Sequence, residues 1–211
     1  MAPALMVIAK APVPGRVKTR LTPPCTPDQA ARLAGAAIAD TLAAALAVDR
    51  DVRRLVVLDG EPGPWIPGGF EIVPQRGDGL AARLAAAFAG VGGPAFLVGM
   101  DTPQVSPMLL EAGLDAVTGG DAAFGAALDG GYWAIGLREA DARVFEDVPM
   151  SDATTGAVQR ARLATLDLRT AILPPLRDVD TIEDARAVAR EAPDGRFAAT
   201  LSEIEPEDLA A

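Results

Sequence analysis

The chain has 211 residues, half of them hydrophobic, which fits one α/β domain with a sizeable core. Its net charge of −10 argues against nucleic acid and anionic membranes as partners. Histidine is absent, which excludes Ser-His-Asp triads, Cys-His pairs and histidine-ligated zinc sites. The single cysteine excludes an internal disulfide, and no signal-peptide pattern is visible. We therefore expect a cytoplasmic protein.

Short apolar runs bounded by turn residues predict strands, and periodic apolar positions behind capping residues predict helices. The uncharged stretch 84–100 is too short to span a membrane and is interrupted by glycines and a proline. In chain order the predicted elements are strand 4–9, a helix from 27 to about 45, strands 55–58 and 70–73, helix 80–89, strand 95–98, a helix from 107, strands 122–128 and 132–137, helix 151–163, strand 168–173 and a helix from 182 to about 191.

Alternating strands and helices predict an α/β fold of three layers, with a mostly parallel sheet covered by helices on both faces. We expect one domain over 1–192. The residues 193–211 are predicted to be an acidic tail, mobile or loosely docked, because the part from Leu201 carries four acids and no base.

The first chemical motif is a basic loop, APVPGRVKTRL, which follows the first predicted strand. Residues 1–27 carry four cations and no acid, within a strongly acidic protein. A tight turn at Pro14-Gly15 would let backbone N–H groups approach an anion, and Lys18 and Arg20 could neutralise phosphate oxygens. The spacing does not fit a Walker loop, and the alternative is a solvated basic loop. The four cations are Lys10, Arg16, Lys18 and Arg20.

The second motif is AFLVGMDTP (95–103), in which a buried strand delivers Asp101 to the carboxyl edge of the sheet. A carboxylate at this place suits Mg²⁺ or Mn²⁺, which prefer oxygen ligands and bridge to phosphates. The alternative is an aspartate that caps the following turn.

The third motif is ALDGGYWAIGL (127–137), where Asp129 lies in a Gly-Gly turn between two strands. An acid beside the aromatic pair Tyr132 and Trp133 could contact a polyol or act as a general base. The alternative is an ordinary hairpin turn, since Asp-Gly is itself a turn signal.

The fourth motif is LRDVDTIEDAR (176–186), with Asp178 and Asp180 on an extended segment before a helix capped by Thr181. We expect these two carboxylates to face opposite sides, so that one of them reaches the metal as a second ligand. The alternative is that the acids of this segment only serve the helix N-terminus and its dipole.

A fifth pattern, GDGLAA (77–82), matches the dinucleotide fingerprint GxGxxA. It lies in the middle of the chain rather than after the first strand, which argues against a dinucleotide enzyme. A helix N-terminus preceded by glycines remains suited to a nucleotide.

With these segments in order, the chain resembles the DUF2064 family of GT-A-fold transferases within the nucleotide-diphospho-sugar transferase superfamily. The resemblance rests on AKAPVPGRVKTRL, PQRGDGLAARLAAAF, GMDTP, LDGGYWAIGL and DVDTIEDAR, spread over residues 9–186. It implies a GT-A fold, a nucleotide or nucleotide-sugar donor, a small-molecule acceptor and a divalent cation, Mg²⁺ or Mn²⁺. The oligomeric state stays open.

The resemblance also implies roles for individual residues. Metal binding is expected at Asp101 and at Asp180 or Asp178, and catalysis at Asp129 and Lys18. The acceptor side is expected at Asp129, Gly130, Gly131, Tyr132 and Trp133. Nucleotide binding is expected at Lys10, Gly15, Arg16, Lys18, Arg20, Gln75, Gly77 and Gly79.

The leading functional hypothesis is glycosyl transfer from an NDP-sugar, with Asp129 deprotonating the acceptor hydroxyl and the basic loop stabilising the leaving phosphate. The same loop and metal suit nucleotidyl transfer from an NTP to a phosphorylated acceptor. A hypothesis of another class is a nucleotide-binding module without turnover.

Overall fold

The structure, a computed structural model, describes residues 2–204. Seven strands of this region form one sheet in the order β3-β2-β1-β4-β6-β5-β7. Only β6 runs antiparallel to its neighbours β4 and β5, so the sheet is mostly parallel. The strands are β1 Ala4–Lys10, β2 Arg53–Asp59, β3 Glu71–Pro74, β4 Ala95–Gly99, β5 Ala122–Ala127, β6 Tyr132–Leu137 and β7 Thr170–Leu176.

Six α-helices are present in the same region, together with two short 3₁₀ turns at Thr19–Leu21 and Ala142–Phe145. None of these helices is long and apolar enough to cross a membrane. The helices are α1 Pro27–Leu46, α2 Gly79–Val91, α3 Pro107–Gly119, α4 Thr155–Thr165, α5 Ile182–Glu191 and α6 Arg196–Ile204.

The alternation of side chains along the central strands divides the core into two layers. On β1, Leu5 and Val7 pack with α1 and α3, whereas Met6 packs on the opposite face with Leu84 and Phe88 of α2. Both faces of the sheet are therefore covered by helices, which confirms the predicted three-layer α/β fold.

Local capping signals place the helix starts as predicted at two positions. Thr26 and Gln29 form a reciprocal capping box ahead of α1, and Thr181 and Asp184 form another ahead of α5. The helix predicted from residue 151 begins later, at Thr155, because Ser151 has a left-handed backbone with φ of 62° and cannot continue a helix.

The described part of the predicted acidic tail is helical from Arg196 onwards. In α6, Phe197 and Leu201 are buried together with residues of α1 and α5 in a third core cluster. Phe197, Leu201 and Ile204 recur at helical spacing on the buried face, and Glu203 lies on the exposed face, so this part packs on the domain rather than lying loose. The remainder of the predicted tail, 205–211, lies outside the described residues.

Candidate functional site

A cavity of about 750 Å³ opens at the carboxyl edge of β1 and β4. In open α/β sheets this edge is where ligands bind. Nine of the residues expected at the site line this cavity: Lys10, Arg20, Gln75, Asp101, Asp129, Gly131, Tyr132, Trp133 and Asp180. Six other expected residues do not line it: Gly15, Arg16, Lys18, Gly77, Gly79 and Gly130.

The basic loop contains the tight turn that its sequence predicts. The Arg16 amide donates to the Val13 carbonyl at 3.0 Å, and Gly15 takes the positive φ of 73° that the third position of such a turn requires. The turn itself is exposed, and Gly15 and Arg16 do not line the cavity.

Lys18 is directed into the protein rather than towards the cavity. Its side chain is 7% exposed, and Nζ lies 2.5 Å from Oδ1 of Asp101. The same ammonium donates a hydrogen bond to the backbone carbonyl of Val179. Lys18 therefore joins the basic loop, the end of β4 and the segment before α5, and places a positive charge behind the carboxylate of Asp101.

Arg20 makes the second link between the loop and the segment before α5. Its guanidinium lies 2.6 Å from Oδ2 of Asp180, and both residues line the cavity. The Arg20 side chain is 68% exposed, so this pair is worth little in stability. The pair places a cation in the cavity wall.

Asp178 and Asp180 both line the cavity, so the expectation that they face opposite sides was wrong. Residues two apart on an extended segment share a side, and the residue between them faces the other way. Val179 is that residue; it is buried in the core, and its amide donates to the Asp101 carbonyl at 2.9 Å.

Asp178 has the most perturbed carboxyl group of the cavity. Burial, together with the negative charges of Asp129, Asp101 and Asp180, raises its pKa to about 7. Its Oδ1 is buried and has no hydrogen-bond partner among the described residues. This oxygen is available to a ligand that can replace its lost solvation.

Gln75 connects the end of β3 to the central strands. Its amide nitrogen donates to the carbonyls of Ala9 at 2.8 Å and Val57 at 3.1 Å, while its oxygen accepts from Arg83 at 3.3 Å. These bonds fix the side chain where it lines the cavity, close to Lys10.

Asp129 is held by its own turn. Its Oδ1 accepts from the Gly131 amide at 2.7 Å, and the carboxylate is exposed at the cavity. Gly130 has φ of 95°, and a Cβ placed there would lie 2.0 Å from the Ala153 carbonyl oxygen. The turn therefore requires glycine to dock against the start of α4, where the Gly156 amide donates to the Gly130 carbonyl at 2.8 Å.

Tyr132 and Met150 form an apolar part of the cavity wall. Of the two, only Tyr132 was among the residues expected at the site. The Tyr132 hydroxyl donates to the thioether sulfur of Met150 at 3.9 Å, and burial raises the pKa of this phenol well above its ordinary value. Met150 lies in an irregular stretch between the second 3₁₀ turn and α4.

The described residues contain no cluster of three acidic or cysteine side chains arranged to hold a metal ion. The donor set nevertheless fits a hard divalent cation, since carboxylates line the cavity and one buried Asp178 oxygen lacks a partner. Magnesium in particular is usually held by one or two carboxylates together with substrate phosphates.

Solved structures share this fold over nearly the whole chain. A structure from Desulfovibrio desulfuricans G20, named as a candidate nucleotide-diphospho-sugar transferase, is 26% identical with a TM-score of 0.86, covering 96% of this chain and 95% of that one. A nucleotidyl transferase from Methanothermobacter thermautotrophicus is 16% identical with a TM-score of 0.61, covering 92% and 99%. A manganese complex of Rv0371c from Mycobacterium tuberculosis H37Rv is 21% identical with a TM-score of 0.51, covering 90% and 100%.

A search of curated proteins finds no match to this sequence. The family model described as "Uncharacterized protein conserved in bacteria (DUF2064)" matches residues 32–152, more than half of the chain. That segment includes α2, β4 with Asp101, and the turn at Asp129. The chain belongs to the DUF2064 family, as the resemblance of its motifs predicts.

Proposed function

We propose that this protein is a metal-dependent transferase that uses a nucleotide-activated donor, and that it transfers a glycosyl group from an NDP-sugar. The observation that carries the proposal is the meeting of two cations, Lys10 and Arg20, with Asp101 and Asp178 in one cavity at the carboxyl edge of the sheet. Cations and metal-binding oxygens side by side suit a diphosphate. The 26% identical neighbour named as a candidate nucleotide-diphospho-sugar transferase supports the same class.

Asp101, with Asp178 or Asp180, would hold Mg²⁺ or Mn²⁺, which neutralises charge on the donor phosphates. Lys10 and Arg20 line the cavity and would bind phosphate oxygens directly. Lys18 contacts Asp101 from behind, so we assign it the orientation of that carboxylate rather than a direct phosphate contact.

Asp129 would take the proton from the acceptor hydroxyl. Its carboxylate is fixed by the Gly131 amide and lies exposed on the cavity wall, where an acceptor can approach it. A general base needs this combination of fixed geometry and access. Gly131, Tyr132 and Trp133 follow it in the same wall.

A second candidate function is nucleotidyl transfer from an NTP. It is favoured by the fold shared with a nucleotidyl transferase at a TM-score of 0.61. The same cations and carboxylates would bind a triphosphate, and a phosphorylated acceptor would displace pyrophosphate.

Product analysis separates these functions. The purified protein is incubated with each common NDP-sugar and each NTP, with Mg²⁺, Mn²⁺ or EDTA, and a mixture of candidate acceptors. We expect release of NDP from one NDP-sugar, abolished by EDTA. Pyrophosphate release from an NTP would instead establish nucleotidyl transfer. Nucleotide binding without any release, across all acceptors, would indicate a binding module.

Asp101→Asn tests the metal assignment directly. We expect the affinity for the donor nucleotide to become independent of Mg²⁺ or Mn²⁺, because the neutral amide is a poor metal ligand, while the fold is retained. Calorimetric titration with and without metal measures this change. Asp167→Asn, in an exposed turn away from the cavity, is the matched control. A metal dependence equal to that of the wild type would contradict the assignment.

Arg20→Ala tests the phosphate assignment, and Arg16→Ala in the same loop is its matched control because Arg16 does not line the cavity. We expect Arg20→Ala to weaken binding of the nucleoside diphosphate about tenfold while leaving the nucleoside unaffected, since one charge-assisted contact is lost. Equal losses for the two arginine variants would mean that the loop acts only through its overall charge.

A further inference from the structure

The cavity has two chemically different parts. Around the ends of β1 and β4 it is charged, with Lys10, Asp101 and their neighbours. Its wall also contains an apolar part, here called the apolar slot, which we define by six side chains: Ile8, Leu80, Leu84, Leu97, Tyr132 and Met150.

The apolar slot lies between the sheet and α2. Leu97 and Leu84 belong to the core cluster on the α2 face of the sheet, and the half-buried Ile8 packs against that cluster. Tyr132 continues the sheet side on β6, directly after the turn at Asp129. Leu80 on α2 is 40% exposed although it is a large hydrophobic residue. Leu84 and Leu97 are buried, at 2% and 3% exposure. The apolar surface that the slot leaves open to a ligand therefore comes from Leu80 and from the half-buried Ile8, Tyr132 and Met150.

The Tyr132 hydroxyl is a hydrogen-bond donor with only a weak partner in this slot. The Met150 sulfur that accepts from it lies at 3.9 Å, and a thioether is a poor acceptor. A phenol enclosed by apolar side chains gains by donating to a stronger acceptor oxygen. The slot thus offers apolar contact together with one donor.

The charges around the cavity discriminate against an anionic acceptor. Among the described residues, the cations of its wall are Lys10 and Arg20, and the proposed donor phosphates engage both. Six aspartates line the same cavity: Asp101, Asp129, Asp152, Asp178, Asp180 and Asp184. A second phosphate near Asp129 would meet like charges without a remaining counter-ion.

From this arrangement we infer that the acceptor is a neutral alcohol with an apolar portion, which packs in the slot against Leu80, Tyr132 and Met150 while its hydroxyl meets Asp129. This inference rests on the proposed function and adds the acceptor class to it. It also disfavours the phosphorylated acceptor that nucleotidyl transfer needs.

Binding of alkyl β-glucosides tests the inference. Methyl, butyl and hexyl β-glucoside share one neutral polyol and differ only in apolar length. Burial of a methylene group strengthens binding by roughly fourfold when it is complete. We expect hexyl β-glucoside to bind at least tenfold more tightly than methyl β-glucoside by calorimetry, and glucose 6-phosphate to bind more weakly than either.

Met150→Ser should remove most of the dependence on chain length and leave methyl β-glucoside nearly unchanged. Met108→Ser is the matched control, because Met108 is 77% exposed on α3 and does not line the cavity. Tyr132→Phe should weaken all three glucosides by a similar factor, since it removes the donor and keeps the ring. Equal affinities along the series, or a length dependence untouched by Met150→Ser, would overturn the inference.

The titrations are repeated with Mg²⁺ and the nucleoside diphosphate that binds best. Retained binding of hexyl β-glucoside supports a slot separate from the donor, and competition between the two overturns the acceptor assignment. Failure of the proposed function has a different signature, namely no nucleotide binding with or without metal. Failure of the acceptor assignment and failure of the proposed function can be told apart, because the binding of the glucoside and of the nucleotide is measured separately.

Discussion

Asp178 is the residue of the site whose negative charge is most disfavoured by its surroundings. Burial and three neighbouring carboxylates raise its pKa to about 7, so a neutral form persists well above the usual range of an aspartate. In the unfolded chain the group titrates near its ordinary value. Between these two pKa values the folded protein holds one more proton than the unfolded one, and stability falls as the pH rises through this window.

Asp178→Asn should remove this pH dependence. Relative to the metal-free wild type, we expect the variant to gain roughly 2 kcal/mol in free energy of unfolding at pH 8, after allowance for partial exposure of the group, and little at pH 4. Urea unfolding at both pH values in EDTA measures the difference. Asp167→Asn, which removes an exposed charge, should show no such pH-dependent gain. A constant difference between wild type and Asp178→Asn at all pH values would contradict the raised pKa.

At the scale of elements, the N-terminus of α6 is capped by a side chain of α1 rather than by the residue that precedes α6. The carboxylate of Asp40 accepts from the backbone amides of Arg196 at 3.0 Å and Phe197 at 2.8 Å. Gly195 allows this approach, since a Cβ there would lie 2.7 Å from the carboxylate. The cap therefore joins two helices that are far apart in sequence.

Asp40→Ala should lower the free energy of unfolding by about 1–2 kcal/mol, the usual cost of a lost N-cap. Asp40→Asn retains one acceptor oxygen and should lie between Asp40→Ala and the wild type. Chemical unfolding of the three proteins provides the measurement, with circular dichroism reporting helix content. An unchanged stability in Asp40→Ala would show that α6 is held by Phe197 and Leu201 alone.

Local sequence signals predict most helices and strands of this fold. The helix boundaries that they do not predict are set by contacts between residues far apart in sequence. The capping residues Thr26 and Thr181 mark their helices because each bonds within its own first turn. The start of α4 was misplaced because Ser151 takes a left-handed backbone where the helix docks against Gly130, a contact that lies outside the segment itself. The cap of α6 by Asp40 could not be predicted from the sequence either, because the two residues that it joins are 157 positions apart.

The same distinction holds in the candidate site. The strand-end position of Asp101 is a local property, and the structure places it in the cavity as expected. The inward direction of Lys18 depends on the Val179 carbonyl, which is 161 residues away. Met150 and the apolar slot likewise arise from segments that only the complete fold brings together.

The whole molecule carries a net charge of −10, and six aspartates line the cavity. A field of this sign attracts a divalent cation, and salt screens it over about 10 Å at 0.1 M. We expect the affinity for Mn²⁺ to fall severalfold between 0.05 and 0.5 M NaCl, as measured by calorimetry in the absence of nucleotide. Affinity independent of salt would indicate that short-range coordination alone binds the ion.

The hydrogen bond from Lys18 to the Val179 carbonyl determines when the site can form during translation. Lys18 is translated 161 residues before the carbonyl that it bonds. At ordinary elongation rates this interval lasts roughly 10 to 30 s, during which the basic loop has no completed site to join. A nascent chain therefore cannot assemble the cavity until the segment before α5 has left the ribosome. Products of premature termination upstream of Asp178 should accordingly lack ligand binding, however much of the sheet they contain.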